Sequence, residues 1–128
     1  LLYAVQNKMP YGNVKNKAGK FIEPSLKSVT AAANIPLPDD TNKSLTNTDA
    51  AAGYPISSFT WLIFYKEQNY GVKTRERAEA LAKLLMWMVG NGQRYVEPLQ
   101  YAPLSKEAAE NSVKLIRSMT YNGAPLLK

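Results

Sequence analysis

The run Ile56-Ser57-Ser58-Phe59-Thr60-Trp61-Leu62-Ile63-Phe64-Tyr65 constrains the fold more than any other stretch of this chain. It is rich in β-branched and aromatic residues. In an extended backbone Phe59, Trp61, Ile63 and Tyr65 fall on one face, and Leu62 and Phe64 on the other. A strand with one wet face alternates apolar and polar residues, whereas here both faces are apolar. The segment is therefore expected to be an interior strand, covered on two sides and paired along both edges. It carries no midstrand lysine or proline of the kind that blunts an exposed edge. One strong strand cannot make a stable sheet, so strands from a longer polypeptide or a partner chain are expected to complete it.

Around this strand the chain changes texture. Residues 1–53 are polar and turn-rich: Lys17-Ala18-Gly19-Lys20 closes a predicted hairpin between Tyr11–Lys15 and Phe21–Glu23. Ser25 is placed to cap a modest helix through Leu26, Val29, Ala32 and Ala33, which Ile35-Pro36-Leu37-Pro38 ends. From Asp39 to Asp49 the sequence reads as a loop. After the strand, Thr74 caps a helix whose Leu81, Leu84, Leu85 and Met88 have core-stripe spacing, stopped by Gly90-Asn91-Gly92. A last helix starts at Ser105, directs Ala109, Val113 and Ile116 inward, and ends before Asn122-Gly123. The predicted order is hairpin, helix, strand, helix, helix and tail, an α/β arrangement with incomplete sheets.

Composition removes whole classes of chemistry. The chain has no Cys and no His, which excludes a thiol nucleophile, a thiolate or imidazole metal site, and an imidazole base within it. Lys and Arg exceed Asp and Glu by six, but Lys8, Lys15, Lys17, Lys20, Lys27 and Lys43 are scattered through loop-like sequence rather than massed in a block. That pattern reads as a solvated basic surface, with a nucleic-acid-binding module as the competing reading. The opening Leu1-Leu2-Tyr3-Ala4 has no basic n-region or small-residue cleavage site, so no signal peptide is expected in it. No apolar run approaches the roughly 20 residues of a membrane helix.

Four groups invite a functional reading and each has a plainer one. Gly90-Asn91-Gly92-Gln93-Arg94-Tyr95 starts like a dinucleotide fingerprint, but it follows a helix and has Tyr95 in place of the third glycine, so it reads as helix termination. The hydroxyls of Ser57, Ser58 and Thr60 would suit an oxyanion, yet local hydrogen bonding explains them. Trp61, Trp87, Tyr95 and Tyr101 sit in apolar periodic segments and are expected to pack in a core or lobe rather than stack on bases. Glu79 and Lys83 have the spacing of an ordinary helix-surface ion pair, and Asp39-Asp40 lacks calcium-loop spacing. No catalytic or metal residue is nominated.

Several of these segments resemble, in order, phosphate-binding proteins of ABC transporters. Tyr54-Pro55-Ile56-Ser57-Ser58-Phe59-Thr60-Trp61-Leu62-Ile63-Phe64-Tyr65-Lys66 is similar to their late strand, where a Tyr/Trp-Pro-Ile step precedes hydroxyl residues and an apolar run. Leu84–Gln93 resembles their late helix, Tyr101-Ala102-Pro103-Leu104-Ser105 the turn into the final helix, and Tyr121-Asn122-Gly123-Ala124-Pro125-Leu126 the tail. Upstream, Tyr3–Pro10 and Asn16–Phe21 are similar to a stretch just before that strand.

The resemblance implies the C-terminal portion of a two-lobe, type II-like periplasmic binding protein. Residues 1–53 would end the second lobe with hairpin, helix and loop, and residues 54–128 would supply the return strand and C-terminal helices of the first. It implies capture of inorganic phosphate for a membrane ABC permease, with no enzyme activity and no cofactor. The implied partners are phosphate, that permease and the missing N-terminal portion of the same protein; no nucleic acid is expected. Localisation would be periplasmic or extracellular, with an anchor possible through the missing N-terminus. The family's phosphate-contacting motifs lie in earlier segments, so no phosphate-binding residue is assigned here. This leaves other oxyanions, of the sulfate or molybdate class, open. Gly53, Tyr54 and Pro55 are hinge candidates, pairing a permissive backbone position with a stiff approach to the strand; an ordinary loop-to-strand junction fits them equally.

Overall fold

The computed structural model describes residues 2–127. It starts with a short helix, α1 (Leu2–Gln6), which the sequence reading did not anticipate. The hairpin follows where expected, as β1 (Val14–Lys15) and β2 (Phe21–Ile22), antiparallel with Val14 opposite Ile22 and Lys15 opposite Phe21. Gly19 takes φ +77° in its turn, a left-handed backbone that a side chain would strain. Buried Asn16 ties the turn together: its Oδ1 accepts from the Lys20 N–H at 3.1 Å, and its Nδ2 donates to the carbonyls of Ala51 at 3.1 Å and Gly53 at 3.2 Å.

Helix α2 (Leu26–Ala32) begins with a reciprocal cap. The Ser25 hydroxyl accepts from the Ser28 N–H at 3.2 Å, and the Ser28 hydroxyl accepts from the Ser25 N–H at 3.0 Å. Its C-terminal alanines, Ala32 and Ala33, are buried, as are Leu37 and Leu45 from the loop that follows. Residues 39–49 form no regular structure, as their composition indicates.

In the second half, α3 (Arg75–Val89) is capped by Thr74 and α4 (Lys106–Arg117) by Ser105, the two residues expected from the sequence. Two 3-10 turns, Asn91–Tyr95 and Glu97–Leu99, lead from one helix to the other. The core joins Ala78, Ala82 and Leu85 of α3 to Ile116 of α4, with Met119 and Leu126 closing it. The buried stripe of α3 is thus alanine-led. Leu84 and Met88, expected to be core, are 52% and 37% exposed. On α4 the fully buried positions are Ala108, Asn111 and Ile116, while Ala109 and Val113 are only half-buried. Glu79 pairs with Arg75, Nε to Oε1 at 2.9 Å, one turn before it rather than with Lys83 one turn after.

The tail is a second hairpin, β3 (Thr120–Tyr121) with β4 (Ala124–Pro125). Its two loop residues, Asn122 at φ 51° and Gly123 at φ 73°, are both left-handed, the signature of a tight hairpin turn. The Leu126 N–H bonds the Met119 carbonyl at 3.1 Å and brings Leu126 onto the core.

The largest departure from expectation is Ile56–Tyr65. The segment runs without helix, but it is not a paired strand, and among the described residues its backbone makes no backbone–backbone hydrogen bond. Among the described residues no strand lies beside it, and the expected interior position is not observed. Ile63 is 99% exposed and Tyr65 70%. The aromatics expected in a core share this fate: Trp61, Trp87, Tyr95 and Tyr101 are all exposed, with Trp87 and Tyr95 packed on each other at 5.9 Å.

Candidate functional site

Three features surround the open segment. The first is the junction that leads into it. Gly53 is buried, and a Cβ there would lie 2.8 Å from Ala32 Cα and 3.1 Å from the Ala50 carbonyl oxygen. Close approach to α2, rather than an unusual backbone angle, makes this position a glycine. Its N–H donates to the Ala50 carbonyl at 2.8 Å, the Tyr54 N–H donates to the Ser28 carbonyl at 2.9 Å, and the Pro55 carbonyl accepts from the Asn47 N–H at 2.8 Å. All three hinge candidates are therefore brought together and fastened to the first half of the chain.

The second feature is the segment itself. The Ser57 hydroxyl donates to the Tyr54 carbonyl at 2.7 Å and the Ser58 hydroxyl to the Phe59 carbonyl at 2.9 Å, the local bonding anticipated for them. Trp61 Nε1 reaches the Thr41 carbonyl at 3.2 Å, which ties the segment to the 39–49 loop. Phe64 turns inward onto the α3–α4 core. Beside it a small cavity of about 140 Å³, lined by Leu62, Phe64, Leu85, Val89, Leu104 and Ile116, opens between the segment and the two helices. Thr41, Thr60 and Ser112 also line it, but the surface is mainly apolar and lacks the set of converging N–H or cationic donors that a buried oxyanion needs.

The third feature closes the segment, and sequence reasoning missed it. Glu67 forms an isolated parallel bridge with Thr120, with the Thr120 N–H on the Lys66 carbonyl at 2.9 Å and the Gln68 N–H on the Thr120 carbonyl at 2.8 Å. The Glu67 carboxylate then gathers the second hairpin. Oε1 accepts from the N–H groups of Asn69 at 2.8 Å and Asn122 at 2.9 Å; Oε2 accepts from the Gly123 N–H at 3.0 Å and the Thr120 hydroxyl at 2.9 Å. The Asn69 and Gly123 N–H groups, with the Thr120 hydroxyl and the Asn122 N–H, lower its pKa from 4.5 to about 2. Asn122-Gly123 was the available signal, because that dipeptide demands a hairpin turn and not merely a helix end.

Helix N-termini, the usual receptors for anions, are engaged internally. The Thr74 hydroxyl accepts from the Arg77 N–H at 3.4 Å and the Ser105 hydroxyl from the Ala108 N–H at 3.3 Å. The halves of the chain also meet at the start of α4: the Leu37 N–H donates to Glu107 Oε1 at 3.0 Å, and the Thr30 hydroxyl to the Pro103 carbonyl at 3.1 Å. The assembled features describe a scaffold on which Ile56–Tyr65 lies unpaired and largely exposed.

No family model matches the chain. It is 33% identical to a protein of Xylella fastidiosa (strain 9a5c) over 107 residues, 81% of this chain and 28% of that protein. It is 30% identical to one of Methanocaldococcus jannaschii over 131 residues, 91% of this chain and 33% of that protein. A third, from Pasteurella multocida (strain Pm70), is 27% identical over 111 residues, 84% of this chain and 31% of that protein. Over most of its length this chain is thus a relative of phosphate-binding proteins. The relatives carry the name phosphate-binding protein PstS, and the chain spans no more than 33% of the length of these three.

Proposed function

We propose that this chain is the C-terminal portion of the substrate-binding component of an ABC-type phosphate uptake system. The parent captures inorganic phosphate and passes it unchanged to a membrane permease. The similarity to phosphate-binding proteins over 81% to 91% of the chain carries this reading. The mixed helix and strand content supports a piece of a two-lobed, type II-like α/β fold. In that fold residues 1–53 end the second lobe and residues 54–128 return to the first. The caps of α3 and α4 and the hydroxyl of Ser57 are occupied in the scaffold, so the phosphate contacts belong to the remainder of the parent. The parent works in the periplasm or at an outer cell surface. Among the described residues no helix is long and apolar enough to cross a membrane.

In this reading the hinge lies at the C-terminal end of the candidate set Gly53, Tyr54 and Pro55. Because all three are bonded to the first half, they move with it, and the change of direction on lobe closure starts just after Pro55.

A chimera tests the assignment. This chain replaces the matched 107-residue stretch of the Xylella fastidiosa relative, and both the chimera and the isolated chain are titrated by calorimetry with phosphate, sulfate and molybdate. One-to-one phosphate binding by the chimera, with none by the isolated chain, is expected. A folded chimera that prefers sulfate or molybdate, or that binds no oxyanion, overturns the proposal.

A further inference from the structure

An asparagine followed by glycine is prone to lose its side-chain amide, because glycine places no side chain in the way of its own backbone nitrogen. The chain has two such pairs, Asn91-Gly92 and Asn122-Gly123, in different settings. Gly92 is buried in the 3-10 turn after α3, where a Cβ would lie 2.8 Å from the Trp87 carbonyl oxygen. Asn122 and Gly123 are both exposed at the tip of the second hairpin. In the reaction at that tip the Gly123 nitrogen bonds to Asn122 Cγ as the bond from Cγ to the amide nitrogen breaks. The proton of the attacking N–H passes to solvent, and the amide nitrogen takes up a proton and leaves as ammonia. Water then opens the cyclic imide, leaving an aspartyl or isoaspartyl residue at position 122, and nothing is oxidised or reduced.

Both reacting ends are tethered. Glu67 Oε2 accepts from the Gly123 N–H at 3.0 Å and Oε1 from the Asn122 N–H at 2.9 Å, so one carboxylate holds two consecutive N–H groups. Such a pair converges on one anion only with the second nitrogen folded toward the first, whereas ring closure requires it to swing toward the side chain. The side chain is held as well: Asn69 Nδ2 donates to Asn122 Oδ1, and the Asn69 N–H is itself on Glu67 Oε1 at 2.8 Å. With a pKa of about 2, the carboxylate is too weak a base to draw the proton from Gly123 and speed the attack. The product reverses these contacts. A second carboxylate at position 122 would stand where Asn69 meets Glu67, and like charges sharing a site repel. We propose that Asn122-Gly123 is a covalent modification site, a deamidation switch that Glu67 and Asn69 hold closed and whose product releases the second hairpin from Glu67.

The test ages the full chain at neutral pH and reads both Asn-Gly peptides by mass spectrometry. Glu67→Ala is expected to raise deamidation at position 122 by about tenfold, the equivalent of one hydrogen bond to a charged group, and to leave position 91 unchanged. In strong urea the variant and the wild-type chain are expected to react alike. A rise at both positions together, or at neither, in the folded chain overturns the proposal. Glu67→Gln keeps one acceptor oxygen and is expected to give a smaller rise at position 122 alone. It decides the matter if circular dichroism shows the alanine variant unfolded: a selective rise supports the switch, and a parallel rise or none overturns it.

Asn122→Asp stands in for the aspartyl product. It is expected to lower the melting temperature by about 5 °C in the wild-type chain and by much less in the Glu67→Gln background, where there is no carboxylate to repel. An equal loss in both backgrounds, or no loss in either, overturns the release.

Discussion

Glu67 lies at the surface, yet its carboxylate joins the open segment to the second hairpin through three backbone N–H groups and one hydroxyl. Its pKa of about 2 in the folded chain lies below the ordinary 4.5, so the unfolded chain binds more protons between those values. The stabilisation is complete above about pH 4.5 and is lost as pH falls toward 2. Thermal melts across that window are expected to show a steeper loss for the wild-type chain than for Glu67→Gln, which has no carboxylate to protonate; equal slopes would remove the carboxylate from the account. Gly53 makes the opposite kind of demand, for space. Gly53→Val sets a side chain against the α2 backbone at Ala32 and is expected to cost the isolated chain about 1–3 kcal/mol, read from denaturant midpoints. The sequence showed Gly53 as a glycine before a proline; it did not show the helix lying against it, because that neighbour is 21 positions away in the chain.

Among the elements, those governed by local chemistry were legible and those governed by neighbours were not. Ser25, Thr74 and Ser105 cap the helices they were expected to cap, since a cap is decided within four residues. The hairpin at Gly19 followed from its turn in the same way. Helix α3 was placed correctly and its inward face was read in part: Leu81 and Leu85 reach the core as expected, Leu84 and Met88 do not, and Ala78 and Ala82, both fully buried, complete the face. Ala82→Leu is accordingly expected to destabilise the chain by about 1–3 kcal/mol through overpacking. Leu84→Ala, on a half-exposed residue, is expected to change stability by about 1 kcal/mol or less. Urea unfolding of both variants checks the pair, and the reverse ranking would restore the leucine stripe.

For the whole molecule, the family relationship was legible because many short segments keep one order along the chain, even where each is unremarkable alone. The position of Ile56–Tyr65 was not: its two apolar faces predict an interior strand, whereas among the described residues the segment is unpaired and largely exposed. Protease active sites bind their substrates as extended strands, so a segment left in that form is also a cutting point. Chymotrypsin at low dose is expected to nick the isolated chain first between Phe59 and Tyr65, ahead of equally exposed aromatics such as Trp87 and Tyr95 that are held on helical turns. First cuts at those helical sites would remove this distinction. The open backbone of Ile56–Tyr65 is thus expected to set how long the isolated chain survives a protease.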